Sequence, residues 1–208
     1  ALFNIENLHQ IDIVISRSEW DGLVQDMLDY KSKYNSLRSD NYRKANFIYK
    51  GKAGDKTIEE IAIRTRGNTT RVIPENPKGS GNYFRSHFSI KFNKTFSLTE
   101  GTTEYEKRKD RRFSNLRGLN LKFQDFGDRE GDPSLFREIY SYDLLNKMQI
   151  KTPKVGVTRL YIKVEEVDGS VTSKYFGIYA LIEPVDKSFL TRRYGKDQND
   201  GNLYKCLW

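Results

Sequence analysis

Residues 132–145 carry the clearest helical signature in a chain whose other apolar stretches alternate like strands. Asp132 can accept a backbone N–H left unpaired in a first helical turn. Pro133 suits the first helical position, where no N–H partner is needed. Phe136, Tyr140 and Leu144 then recur every four residues, with Leu135, Ile139 and Leu145 widening the stripe. That face is expected to be buried. One well-started helix set among strands restricts the chain to an α+β arrangement.

The strands follow from period-two patterning. Ile11-Asp12-Ile13-Val14-Ile15 alternates and is β-branched. Ser18 and Asp21 have capping-box spacing and open a helix through about Leu28. Residues 30–46 are polar and tyrosine-rich and read as a loop. Residues 46–49 and 59–66 read as two strands, joined by a turn with Gly51 and Gly54-Asp55. The prolines and glycines of 72–83 make a loop. In 86–93, Phe88, Ile90 and Phe92 share one face, and Ser89 and Lys91 the other. Residues 104–117 are charge-dense and read as a solvated loop. Residues 119–123 form a strand, 155–164 and 175–182 a hairpin around Asp168-Gly169, and 187–194 a short helix. The sum is about seven strands, a mostly antiparallel sheet with one main inserted helix.

Composition narrows the function classes. The 208 residues suffice for one domain of usual size or one and a half. Only 37% are hydrophobic, but 13 Tyr and 12 Phe can build a core where aliphatics are sparse. A net charge of +8 suits an anionic partner without choosing among nucleotide, nucleic acid and acidic surface. The single cysteine, Cys206, excludes an internal disulfide framework. No run of about 18 apolar residues is present to span a membrane. The start at Ala1 is compatible with a removed signal peptide. The ending Leu207-Trp208 leads us to expect a piece of something longer.

Two stretches carry candidate chemistry. Lys91 sits on the polar face of its strand. A solvent-facing lysine is the ordinary reading, and a phosphate ligand held by a helix glutamate is the sharper one. Lys91 followed by Glu138 has the required order. In Arg64-Thr65-Arg66-Gly67-Asn68-Thr69-Thr70, a glycine after a strand lets the backbone approach an anion, with arginines and hydroxyls as donors. An ordinary tight turn is the alternative. Asp125-Phe126-Gly127 spells a kinase metal-binding triplet in the wrong order along the chain, and Gly79-Ser80-Gly81 lacks the third glycine of a kinase loop. Glu104, Glu106 and Asp110 interrupt the basic 107–117 run, which argues against nucleic acid. His9 and His87 are isolated and show no metal-ligand spacing.

Several segments together resemble the spore coat protein H (CotH) kinase family: 61–69 through Arg66-Gly67-Asn68-Thr69, 88–92 with Lys91, Leu119-Asn120-Leu121, Asp132-Pro133-Ser134 with Arg137-Glu138, 175–179, 183–187 and 201–205. The resemblance covers nearly all of the chain. It implies an atypical protein kinase N-lobe over 1–182, with a hinge and the start of a further lobe in 183–208. It implies ATP and a divalent metal (Mg or Mn) as cofactors and a protein Ser/Thr substrate. Lys91 would contact the phosphates, Glu138 would hold it, Arg66, Gly67, Asn68 and Thr69 would lie over the phosphates, and Glu183 would sit near the hinge that meets the adenine. The catalytic and metal-binding aspartates of that family come after 201–205, so no metal ligand is assigned here. Ser89 departs from the family's frequent basic residue, and Lys122 stands where a short polar residue is common. The loops 72–84 and 99–117 are longer than usual. An extracellular, cell-surface or spore-coat location follows from the same resemblance. The alternative is a non-catalytic adhesion or coat-assembly module on a kinase-like frame. A basic nucleic-acid binder has only the charge in its favour.

Overall fold

Alternate residues of a strand point to opposite faces, so closing a sheet on itself sends one set of positions inside and the other outside. This chain uses that device. The computed structural model describes residues 2–52, 54–68, 70–123 and 137–204. Among them run seven strands: β1 (Leu8–Ser16), β2 (Arg43–Lys50), β3 (Lys56–Arg66), β4 (His87–Lys91), β5 (Gly118–Lys122), β6 (Val155–Glu165) and β7 (Val171–Ile182). Four helices accompany them: α1 (Arg17–Tyr34), α2 (Thr103–Lys109), α3 (Arg137–Lys147) and α4 (Lys187–Tyr194).

The strands form a closed barrel in the order β1-β2-β3-β4-β5-β7-β6. All pairings are antiparallel except β1 with β6, which runs parallel from Leu8↔Val157 to Ser16↔Glu165. The sheet is mostly antiparallel, as expected, and the one parallel pairing makes it mixed. β2 returns on one edge of β1, leaving the other edge for β6, and their union removes the exposed edges. Ile13, Ile63, Phe88, Ile90, Leu121 and Leu181 fill the interior at no more than 1% exposure. At Gly118 a Cβ would come within 2.6 Å of the Ile90 carbonyl, so glycine is needed for β5 to lie this close to β4.

Three helical expectations are corrected. α1 starts at Arg17 and is capped by Ser16, whose hydroxyl accepts from Glu19 N at 3.3 Å; Asp21 instead accepts from Arg17. It runs to Tyr34, into the stretch read as loop, until Asn35 adopts a left-handed φ of 52°. It is longer than the helix expected to dominate. The 104–117 stretch contains α2, capped by Thr102 and tied down by Arg108 and Arg111 on Glu60. α3 is inserted between β5 and β6 as expected, but the Asp132 cap, Pro133, Leu135 and Phe136 lie outside the described residues. Its anticipated buried face is only partly buried. Tyr140 and Leu144 are 64% and 43% exposed, while Ile139 is buried and Tyr142 packs beside it. Among the described residues, Ile139 and Tyr142 pack on Val155, Val157, Ile178, Ala180 and Ile182 of the outer face of β6 and β7.

The loop before β4 is clasped rather than loose. Glu75, fully buried, accepts from Arg17 at 2.7 Å, Trp20 Nε1 at 2.8 Å and Gly81 N at 2.7 Å. Arg17 also reaches Glu166 on the β6–β7 hairpin at 2.7 Å. Removing one partner of such a buried pair typically costs about 3–5 kcal/mol. Glu75→Ala is expected to lower the unfolding free energy by about 3 kcal/mol or more in urea titration. A loss below about 1 kcal/mol would show that the clasp does not carry this loop.

Candidate functional site

Phe88, Ile90, Leu119 and Leu121 point inward, so their polar neighbours share the outer face of β3, β4 and β5. The register sorts that face into rows. Arg66 pairs with His87, and Lys122 follows the Phe88↔Leu121 pair, placing it beside His87. Arg64, Ser89, Asn120 and Ile182 make the middle row. Ala62, Lys91 and Gly118 make the third. Four residues separate the first row from the third along β4, roughly 13 Å at strand rise.

The first row is where charge gathers. Lys122 Nζ meets Glu138 Oε2 at 2.6 Å, joining the end of β5 to the start of α3. Burial lowers the pKa of the neighbouring Arg66 guanidinium, and Glu138 opposes that shift. Burial also raises the Tyr142 phenol, again with Glu138 nearby. His87 stacks on Phe123 with centroids 4.3 Å apart, and its Nδ1 is buried without a hydrogen-bond partner. Burial, then Lys122 and Arg66, push this imidazole down to about 4, so it is neutral at pH 7.

Gly67 leaves the first row with φ +112°, a backbone open to glycine and strained for other residues. A Cβ there would lie 3.4 Å from the His87 ring. Asn68 follows, half-buried. Arg71 anchors this turn from beneath, donating to Gly67 O at 3.1 Å and Ser39 O at 2.6 Å. Thr69 lies outside the described residues.

Lys91 is elsewhere. The expected Lys91–Glu138 pair is not the one formed, because Lys91 ends β4 at the opposite side of the face and Glu138 is engaged by Lys122. Lys91 Nζ stands 5.3 Å from the Tyr42 ring centroid, shared with Arg64 at 5.2 Å and Lys94 at 5.9 Å. It also borders a cleft of about 250 Å³ with Ser89, Gly118, Pro184, Asp186 and Lys187. Glu183 borders the same segment but turns inward. Its carboxylate is 1% exposed and accepts from Arg192, Arg193 and Lys154 N, at 2.8, 2.6 and 3.0 Å. That side chain is consumed by the fold and has no free edge for a base.

The sequence does not by itself assign Lys122, His87 or Arg71 to the site: Lys122 stands out there only as a departure from the family pattern and His87 only as an isolated histidine. Lys122 was legible in principle: it precedes Glu138 just as Lys91 does, on the polar positions of a strand whose Leu119 and Leu121 alternate inward. His87 and Arg71 carried no local signal, since only the register and the loop path bring them in. Among the described residues no group of three or more acidic, histidine or cysteine side chains could hold a metal ion, and no helix is long and apolar enough to cross a membrane.

The depressed His87 pKa makes a stability prediction with a defined sign. In the unfolded chain the imidazole titrates near 6.5, and in the folded one near 4. Below pH 6.5 the unfolded state takes up the proton first, so stability present above 6.5 is lost as pH falls toward 4. The full span is about 3 kcal/mol. Urea midpoints between pH 7.5 and 4.5 should fall for the wild type and fall much less for His87→Phe; equal slopes would remove His87 as the source.

A protein-family model described as CotH kinase protein matches residues 63–207. No curated protein matches, and no solved structure does.

Proposed function

This chain belongs to the CotH kinase protein family, and we propose that it supplies the nucleotide-binding part of an ATP-dependent protein kinase that phosphorylates Ser or Thr of a protein substrate. The observation that carries this reading is the 2.6 Å contact between Lys122 and Glu138. Protein kinases hold a strand lysine against the nucleotide phosphates with a helix glutamate, beneath a glycine-containing loop that joins two earlier strands. Here the order is β3, the loop that starts at Gly67, β4, β5 with Lys122, then α3 with Glu138. This order supports 1–182 as a kinase-like lobe and 183–208 as its hinge.

On this reading the phosphates lie over the first row. Lys122, Arg66 and the turn at Gly67 and Asn68 face them, and the neutral His87 adds no further charge; the family resemblance adds Thr69, which lies outside the described residues. The purine lies toward the hinge-side cleft, where Lys91 is a second cation. Glu183 fixes the hinge instead of touching the base. In this chemistry the protein works by positioning the triphosphate and offsetting its charge. The divalent metal (Mg or Mn) implied by the family finds no ligand set among the described residues, so no step is assigned to it. The extracellular, cell-surface or spore-coat location and the protein substrate rest on the family resemblance alone.

Labelled-phosphate transfer by the full-length native protein tests the assignment. Lys122→Met and Glu138→Gln should each lower the rate by about 100-fold or more, the usual effect of removing a preorganised charge contact. Lys91→Met should lower it by less than about tenfold, mainly through KM for ATP. A large loss in Lys91→Met with Lys122→Met unaffected would return the phosphate role to Lys91. Full activity in all three would leave the non-catalytic binding module as the better reading.

A further inference from the structure

Arg71 is a buried cation that forms no salt bridge with a carboxylate among the described residues. It is 9% exposed, and its guanidinium donates only to carbonyls: Gly67 O at 3.1 Å, Leu37 O at 3.3 Å and Ser39 O at 2.6 Å. Burying a charge this way is unfavourable unless its hydrogen bonds are made. These contacts satisfy it and, in doing so, fasten two separate segments together. One is the turn after β3. The other, 37–39, lies outside the residues that match the family model, 63–207.

The bond to Gly67 O has a geometric consequence. A trans peptide is planar, and its C=O and N–H point in opposite directions. Gly67 O and Asn68 N–H belong to one peptide unit. Once Arg71 draws the carbonyl toward the buried side, Asn68 N–H must face the other way. The φ of +112° at Gly67 permits this orientation. Asn68 N–H finds no acceptor among the described residues. The Gly67 turn abuts His87 and thus the row that holds Arg66 and Lys122. A backbone donor without an acceptor among the described residues, beside such cations, is what an anion-binding turn requires.

We propose that Arg71 is a positioning residue that orients the Gly67–Asn68 peptide so that Asn68 N–H is presented to a phosphate oxygen of the bound nucleotide. The residue touches no substrate itself. It acts through the turn, and the segment that braces it comes from the part of the chain before the family match. This inference rests on the nucleotide-binding reading above.

The test compares ATP, inorganic tripolyphosphate and adenosine by isothermal titration calorimetry on the full-length protein in one Mg²⁺-containing buffer. Arg71→Met should weaken ATP and tripolyphosphate by the same factor, about tenfold, and leave adenosine unchanged. Arg71→Lys, able to keep one of the carbonyl contacts, should recover part of the loss. Gly67→Ala, which keeps Arg71 but strains the same peptide, should weaken tripolyphosphate in parallel and carries the test if Arg71→Met does not fold. Unchanged tripolyphosphate affinity in folded Arg71→Met, or an equal loss for adenosine, overturns the positioning role while leaving nucleotide binding intact. Failure of the wild type to bind ATP or tripolyphosphate overturns the nucleotide reading itself, and this inference with it.

Discussion

Closure of the barrel is the constraint from which the other features follow. When β1 meets β6 in parallel register, every strand gains two neighbours and a fixed inside and outside. Because the side-chain period is two, a slip of one residue would exchange the faces wholesale. Phe88, Ile90, Leu119 and Leu121 are nearly or fully excluded from solvent, which fixes that register strongly. The polar alternates then have only one place to go. Arg64, Arg66, His87, Lys91, Asn120 and Lys122 share the outer face of three strands because burying their neighbours leaves no alternative.

That sharing concentrates like charge. Arg64, Arg66, Lys91 and Lys122 stand on one face, and the described carboxylates that pair with them are Asp40, at 2.8 Å from Arg64, and Glu138. Lys91 and Arg64 both border the Tyr42 ring, whose face attracts cations weakly. Self-repulsion of this kind is unfavourable for the folded chain; burial is the main cause of the downward pKa shifts of Arg66 and His87, and neighbouring cations add to it, Arg64 at Arg66 and Lys122 and Arg66 at His87. A bound polyanion would relieve it. The net charge of +8 seen in the sequence therefore has a local expression, on the face where β3, β4 and β5 expose their alternates.

Much of the fold was legible because the signals were local. Alternation marked most of the strands, Asp168-Gly169 marked the β6–β7 turn, and the 187–194 helix has the extent observed. The misreadings came where tertiary contacts decided. Ser16 rather than Ser18 caps α1, because β1 runs to Ser16. The Tyr140–Leu144 stripe resembles a core face by period alone, yet both residues are exposed. Within the candidate site a strand lysine does meet the helix glutamate, but it is Lys122 and not the expected Lys91, and both lysines precede Glu138 in the sequence. Only register separates them: Lys122 ends its strand beside α3, and Lys91 ends its own at the far side. Thr69, which the sequence placed with Gly67 and Asn68, lies outside the described residues.

Glu183 illustrates the same limit from the other direction. The family resemblance implies a place for it near a nucleotide-binding hinge, but position does not say which way a carboxylate turns. It turns inward, toward Arg192, Arg193 and Lys154 N. Arg193 also reaches Thr152 O at 2.9 Å, so the segment before β6 is bound into the same cluster. The result is a crosslink between the end of β7, α4 and the 152–154 segment. A buried, multiply bonded carboxylate holds these segments together, since separating them would expose charge-assisted hydrogen bonds worth more than neutral ones. The adjoining cleft is lined by other groups, among them Ser89, Lys91, Asp186 and Lys187, while Glu183 ties together the segments at its border.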